Sequence, residues 1–155
     1  MVAGEFLRWL SKQAIMKKLL AAMLRPQPSE RLTNWSLLVF RVVLSVQMIY
    51  VHGLKKFDEA PHEVPNPFQM PPALVYALAL GSSVFFPLLV AAGVFTRFSA
   101  AAVLITTLTG YFVVHGSDPA AVRDVPFMYS LAFMLVLVLG PGRFSADAWL
   151  HNKLK

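Results

Sequence analysis

The sequence predicts an all-α integral membrane protein: a four-transmembrane-helix bundle preceded by an N-terminal basic amphipathic interfacial helix. Three observations predict it. Apolar residues make up 57% of the 155 residues and charged residues only 14%, where soluble domains carry roughly 25% charged. Mean hydropathy is +0.59, too high for a water-facing surface on a chain this size. The apolar residues also fall in long runs instead of a soluble period, which excludes a soluble enzyme and a disordered chain alike.

Residues 1–31 are read as the interfacial helix and its linker. Between Gly4 and Leu24, Phe6, Leu7, Leu10, Ala14, Leu20 and Leu24 alternate at near-helical spacing with Arg8, Lys12, Lys17 and Lys18. Such a basic face beside an apolar one, with Trp9 among them, suits a headgroup layer. Charges interrupt every candidate apolar core, so no signal peptide is read here. Arg25-Pro26-Gln27-Pro28 ends the segment. A lipid-facing anchor is the expectation, and a docking helix for a partner subunit is the alternative.

Residues 32–149 hold the membrane domain. Its apolar stretches run Trp35–Val51, Pro72–Phe95, Ser99–His115 and Val122–Gly140, the last becoming dependably apolar from Pro126. A spanning helix needs about 20 mostly apolar residues, within about 17 to 25. None carries the polar stripe of a soluble helix; Ala101 to Ile105 and Met134 to Leu139 are apolar all round. Pro72 opens the second span, and Asp118-Pro119 suits the N-cap and first position of the fourth. Pro126 is expected to kink or restart that helix. Pro61, Pro65, Pro67 and Pro71 predict an extended loop between the first two spans. Residues 150–155 are read as a cytoplasmic tail.

Lys and Arg set the orientation. Ten lie on the side of the termini (Arg8, Lys12, Lys17, Lys18, Arg25, Arg31, Arg97, Arg143, Lys153, Lys155) against three on the other (Lys55, Lys56, Arg123), with Arg41 inside the first span. The termini are therefore expected in the cytoplasm, and topology accounts for the net charge of +6 without nucleic acid. The absence of cysteine excludes disulfides, thiolate nucleophiles, iron–sulfur clusters and cysteine-borne lipid anchors. Any redox role would need a bound small molecule to carry the electrons.

Arg41 is the anomaly. A charge inside a span costs about 2.5–3.5 kcal/mol on insertion scales, so it should face the bundle interior or a wet cavity; snorkelling to the headgroups is the simpler reading. Arg41, Ser45, Met48, His52 and Lys55 or Lys56 recur at helical steps, giving the first span one polar seam. In the second span, Pro87 cannot donate to the Ser83 carbonyl. A kink is expected there, with Ser82 and Ser83 forming a small polar pocket or merely shaping packing. His52 and His115 fall at equivalent span ends, with His62 beyond, and acids Asp58, Glu59, Glu63 and Asp118 lie close in sequence. No HExxH or comparably tight ligand spacing exists, so no metal site is assigned. Gly140-Pro141-Gly142 stops the last span, Arg143, Phe144 and Trp149 suit the interface, and Asp147 is placed to N-cap a short terminal helix.

Several strings carry a family resemblance. Leu38-Val39-Phe40-Arg41 and Val51-His52-Gly53-Leu54-Lys55-Lys56-Phe57 resemble the first-helix signature of the DoxX family. Gly93-Val94-Phe95-Thr96-Arg97 resembles its turn after the second helix, Val114-His115-Gly116 the end of the third, and Leu139-Gly140-Pro141-Gly142-Arg143-Phe144-Ser145-Ala146-Asp147 its C-terminal stretch. The resemblance covers about residues 35–149. It implies a small four-helix protein of the bacterial inner membrane, from a family named after a subunit of a thiosulfate:quinone oxidoreductase and with members associated with redox defence. Many members carry a glutamate in the second helix, near the place of Ser83 here; its absence weakens direct transfer of a catalytic role.

On that resemblance the leading expectation is a quinone-binding or redox-associated subunit. Arg41, Ser45 and His52 would donate to the ring carbonyls, His52 or His115 would move the accompanying proton, and Phe85, Phe86, Tyr111 and Tyr129 would line an apolar slot. The candidate cofactor-binding set is Arg41, Ser45, His52, Lys56, Ser83 and His115; no catalytic residue is identified. Expected partners are the lipid bilayer and a protein partner or second copy. The alternative is a non-catalytic anchoring or assembly subunit of a larger inner-membrane complex, with Arg41 paired to a carboxylate on another chain. A solute carrier ranks last, because four helices show no inverted repeat.

Overall fold

The computed structural model describes residues 12–21, 24 and 28–155. The expectations for residues 1–11 and for the Arg25–Gln27 break lie outside those described. The chain divides into two compact units, Met1–Leu32 and Thr33–Lys155. In the first, residues 12–21 are helical and largely exposed, with Ile15, Met16, Leu19 and Leu20 among the exposed apolar side chains.

Four helices are long and apolar enough to cross a membrane: Glu30–Phe57, Pro72–Ala92, Thr96–Val114 and Ala120–Leu139. These are the first to fourth spans below. An eight-residue terminal helix, Ala146–Lys153, follows, so residues 150–153 are helical. No strand occurs among the described residues. The fold is the expected all-helical four-span bundle. Each hairpin reverses the chain, so the starts of the first and third spans share one end with the terminal helix (the near end). The other two connections, around residues 58–71 and 115–119, mark the far end.

The packing is that of a protein in lipid. The buried apolar cluster is small: Met48, Val90, Ala100, Val103, Leu104, Phe133 and Val136. Beside it the interior buries Ser45, Ser82, Ser83, Ser99, Thr107 and Ser130, while Val39, Val43, Leu78, Ile105, Leu131 and Val138 face outward. Lipid is as apolar as leucine, so small and hydroxylated residues go inside, where backbones approach and hydroxyls bond across helices. Ser130 of the fourth span donates to Thr107 Oγ1 of the third at 2.9 Å, and Thr107 donates to the Leu104 carbonyl at 3.1 Å.

Three spans loosen into π-turns, the first and third in their far halves at Ile49–Gly53 and Gly110–Val114 and the second at its middle, Gly81–Phe85. The second lies directly before Pro87, where the Phe86 amide reaches back five residues to the Gly81 carbonyl. A π-turn therefore absorbs the donor that proline lacks. Gly53 then seals the site: a Cβ there would sit 2.8 Å from the Ser83 carbonyl oxygen and 2.7 Å from Val84 Cγ2. Only a glycine lets the first span approach that closely. Pro126, expected to kink or restart the fourth span, lies inside one continuous helix. Asp118 does not cap that helix, because Pro119 occupies the N-cap position and the Asp118 carboxylate pairs with His115.

Candidate functional site

At the near end the polar chemistry closes on itself. Arg41 is 3% exposed and so buried within the protein. Its guanidinium donates to the Pro141 carbonyl at 2.9 Å and to the Phe144 carbonyl. Those acceptors belong to the Gly140–Ser145 turn, which glycines at φ +79° and +74° (Gly140 and Gly142) fold beneath the bundle. The turn is pinned again where Arg143 N donates to Asn34 Oδ1 at 2.8 Å and where Phe144 packs on Trp35, with ring centroids 4.8 Å apart.

Asp147 is the second pillar of this clasp, and its role differs from the one its sequence position suggests. Ser145 caps the terminal helix, accepting from Ala148 N at 3.1 Å. Asp147 caps the third span instead. Its Oδ1 accepts from Phe95 N at 2.8 Å, and its Oδ2 accepts from Thr96 N at 2.8 Å and Thr96 Oγ1 at 2.7 Å. Its own amide donates to the Gly93 carbonyl at 2.8 Å. A carboxylate at a helix N-terminus satisfies orphan amides and meets the positive end of the dipole. The reason it reaches there is the left-handed turn at Gly93 (φ +73°) and Phe95 (φ +44°), which aims both amides at the terminal helix. Asn34, Gly93, Thr96 and Asp147 thus form a structural site that local spacing does not reveal.

The far half of the first span is different. Ser45 and Met48 are buried, and His52 is half-buried on the same face. Ser45 Oγ and His52 Nε2 are both buried atoms without a hydrogen-bond partner. The imidazole meets Tyr129 of the fourth span edge-on, with centroids 5.2 Å apart at 84°. Arg41 lies eleven residues from His52, about 16 Å along a helix, so the seam holds two separate polar centres.

The remaining predicted site residues are engaged locally. Ser83 donates to the Ala79 carbonyl at 2.5 Å, as Ser82 does at 3.0 Å. Lys56 pairs with Glu59 at 2.9 Å, and its carbonyl accepts from Tyr76 Oη at 2.8 Å. His115 Nδ1 lies 2.8 Å from Asp118 Oδ2. No described contact joins His115 to His52. Among the described residues no group of three or more histidines and carboxylates could hold a metal ion.

The DoxX family model matches residues 36–116, just over half the chain. The chain belongs to the DoxX family. A Haemophilus influenzae protein described as uncharacterized is 31% identical over 128 residues, covering 76% of this chain and 84% of the relative. No solved structure matches. The matched DoxX region holds the first three spans, Arg41, the Ser45–His52 face and the Gly93 turn. The Gly140–Asp147 string lies beyond it, yet this string supplies the carbonyls and carboxylate that Arg41 and Thr96 require. The family model therefore covers only one half of the clasp.

Proposed function

We propose that this DoxX protein is a quinone-binding, redox-associated subunit of a bacterial inner-membrane complex, with its termini in the cytoplasm as the ten-to-three distribution of basic residues favours. The observation that carries the reading is the pair of buried, unpartnered polar atoms on one face of the first span, Ser45 Oγ and His52 Nε2. An unpaired buried polar group costs about 1–3 kcal/mol, and one kept in a native fold calls for a reason, of which a redox or binding role is one and an ordered water another. A ring with carbonyl acceptors would accept from both of these groups, which lie buried within the apolar bundle. A bound quinone would supply reversible two-electron, two-proton chemistry that this cysteine-free chain lacks. His52 Nε2 would donate to one carbonyl and hold a proton there, Ser45 would donate nearby, and the Tyr129 edge would orient the imidazole. Arg41, with both terminal nitrogens on backbone carbonyls, would hold the first span in position.

The test is quinone content. Gently purified protein should yield quinone on solvent extraction, and His52→Leu should lower that content about tenfold, the effect of one lost hydrogen bond to a buried partner. His52→Gln, which keeps an amide donor, should restore part of it. Quinone absent from the wild type, or unchanged in His52→Leu, would remove the basis of this reading.

One observation favours the alternative of an anchoring or assembly subunit. The outward face of the first span forms an open groove of about 780 Å³ whose lining includes Trp35, Val39, Val43 and Gln47. The Gln47 amide is exposed there, twelve residues from Trp35 and so about 18 Å into the span. An amide facing hydrocarbon gains from bonding to another helix, by about 0.6–2 kcal/mol. On this reading a membrane protein co-purifies in mild detergent and is lost on Gln47→Leu. Co-migration that survives the substitution would exclude this face as the contact.

A further inference from the structure

A further arginine lies at the far end, in the first turns of the fourth span. Tyr111, Ala120, Arg123, Asp124 and Phe127 line a recess of about 200 Å³. The Arg123 guanidinium carbon sits 4.4 Å from the Tyr111 ring centroid, and Tyr111 is held by Phe127 (5.4 Å) and Phe112 (4.8 Å). This contact holds the guanidinium against the ring without consuming an N–H. Ion pairs such as Lys56–Glu59 and His115–Asp118 lie elsewhere, and neither Arg123 nor Asp124 has an ionic partner among the described residues. Arg123 Nε is buried and makes no hydrogen bond.

A fixed guanidinium with free donors is a receptor for a phosphate or carboxylate. An unpaired carboxylate on the same wall adds a receptor for an ammonium. Together they match a zwitterion with an anionic group beside a primary ammonium. Position selects its source. The recess opens where the fourth span meets the end of the bundle, and Val122, Val125, Phe127 and Met128 lie exposed around and beyond it, a surface for acyl chains. We infer that this recess binds the headgroup of a zwitterionic phospholipid with a primary ammonium. Arg123 takes the phosphodiester and Asp124 takes the ammonium. A choline headgroup, whose quaternary nitrogen donates no hydrogen bond, fits Asp124 less well, and an anionic glycerol headgroup brings no cation to it.

Native mass spectrometry of the full chain, released from bilayers with equal phosphatidylethanolamine, phosphatidylcholine and phosphatidylglycerol, tests this. The wild type should retain one phosphatidylethanolamine about tenfold over the other two, the scale of one charge-assisted hydrogen bond. Arg123→Gln should lower retention of all three. Asp124→Asn, at an exposed position that leaves folding intact, should abolish the preference for ethanolamine while keeping phosphate-dependent retention. Equal retention of the three headgroups by the wild type, or an unchanged preference in Asp124→Asn, would overturn the assignment. Millimolar inorganic phosphate should leave the bound lipid in place; displacement by it would show a free-anion site and overturn the lipid source.

Discussion

Replacing Arg41 by leucine is expected to destabilise the folded bundle by about 3 kcal/mol or more while making the first span easier to insert. The two effects have opposite signs because they concern different states. Insertion scales penalise arginine at a helix centre by about 2.5–3.5 kcal/mol and favour leucine by about 0.3–0.6 kcal/mol. The folded state moves the other way. The guanidinium donates to the Pro141 and Phe144 carbonyls, and hydrogen bonds to charged groups contribute about 1.5–3 kcal/mol each. Leucine leaves both carbonyls without this donor and removes the cation whose charge acts on Asp147. Lysine should fall between, since one ammonium cannot reproduce a planar fork on two separate carbonyls. Thermal unfolding in detergent reads stability, and protease accessibility of the loops reads topology. The expected result is intact topology with a much lower midpoint for leucine and a smaller drop for lysine. An unchanged midpoint would mean that the clasp contributes nothing to stability.

The spans were legible in the sequence because the bilayer imposes its own length on them, and runs such as Met134 to Leu139 admit no soluble alternative. Their ends were less so. The first span extends to Glu30 and Phe57, beyond the apolar stretch from Trp35 to Val51, because a helix continues into the headgroup layer where hydropathy falls. The common face of Arg41, Ser45, Met48 and His52 could be read from helical spacing alone. What Arg41 bonds to could not, since its acceptors are backbone carbonyls about a hundred residues away, and a carbonyl has no side-chain signature. Asp147 shows the same limit: Ser-Ala-Asp reads as the start of a terminal helix, and only the fold reveals that its carboxylate serves amides about fifty residues earlier. The π-turns escape sequence reading for a further reason. One extra residue per turn leaves the apolar character of a span unchanged, and only Pro87 hints at where the second occurs.

Gly93→Ala should rival Arg41→Leu in effect, and the pair together test how the clasp is built. Gly93 has φ +73°, and moving an L-residue into the left-handed region costs about 1–2 kcal/mol. Space adds to this. A Cβ at Gly93 would collide with the Arg41 guanidinium and lie 2.6 Å from Ser145 Cβ, and overpacking of this kind costs about 1–3 kcal/mol. The turn cannot relax freely, because the Gly93 carbonyl accepts from Asp147 N at 2.8 Å and the next two turn residues lead into the Asp147 cap. A total loss of about 3 kcal/mol is expected in the same unfolding assay. The two costs separate in an Arg41→Ala background, where the guanidinium is gone and mainly the backbone penalty and the Ser145 contact remain. Gly93→Ala should therefore cost less there than in the wild type, so that the double variant is more stable than the sum of the single losses predicts. Strict additivity would place Gly93 and the guanidinium out of contact. Strong coupling would mean that the Gly93 turn is glycine both because its backbone is left-handed and because a buried arginine occupies the space of its side chain.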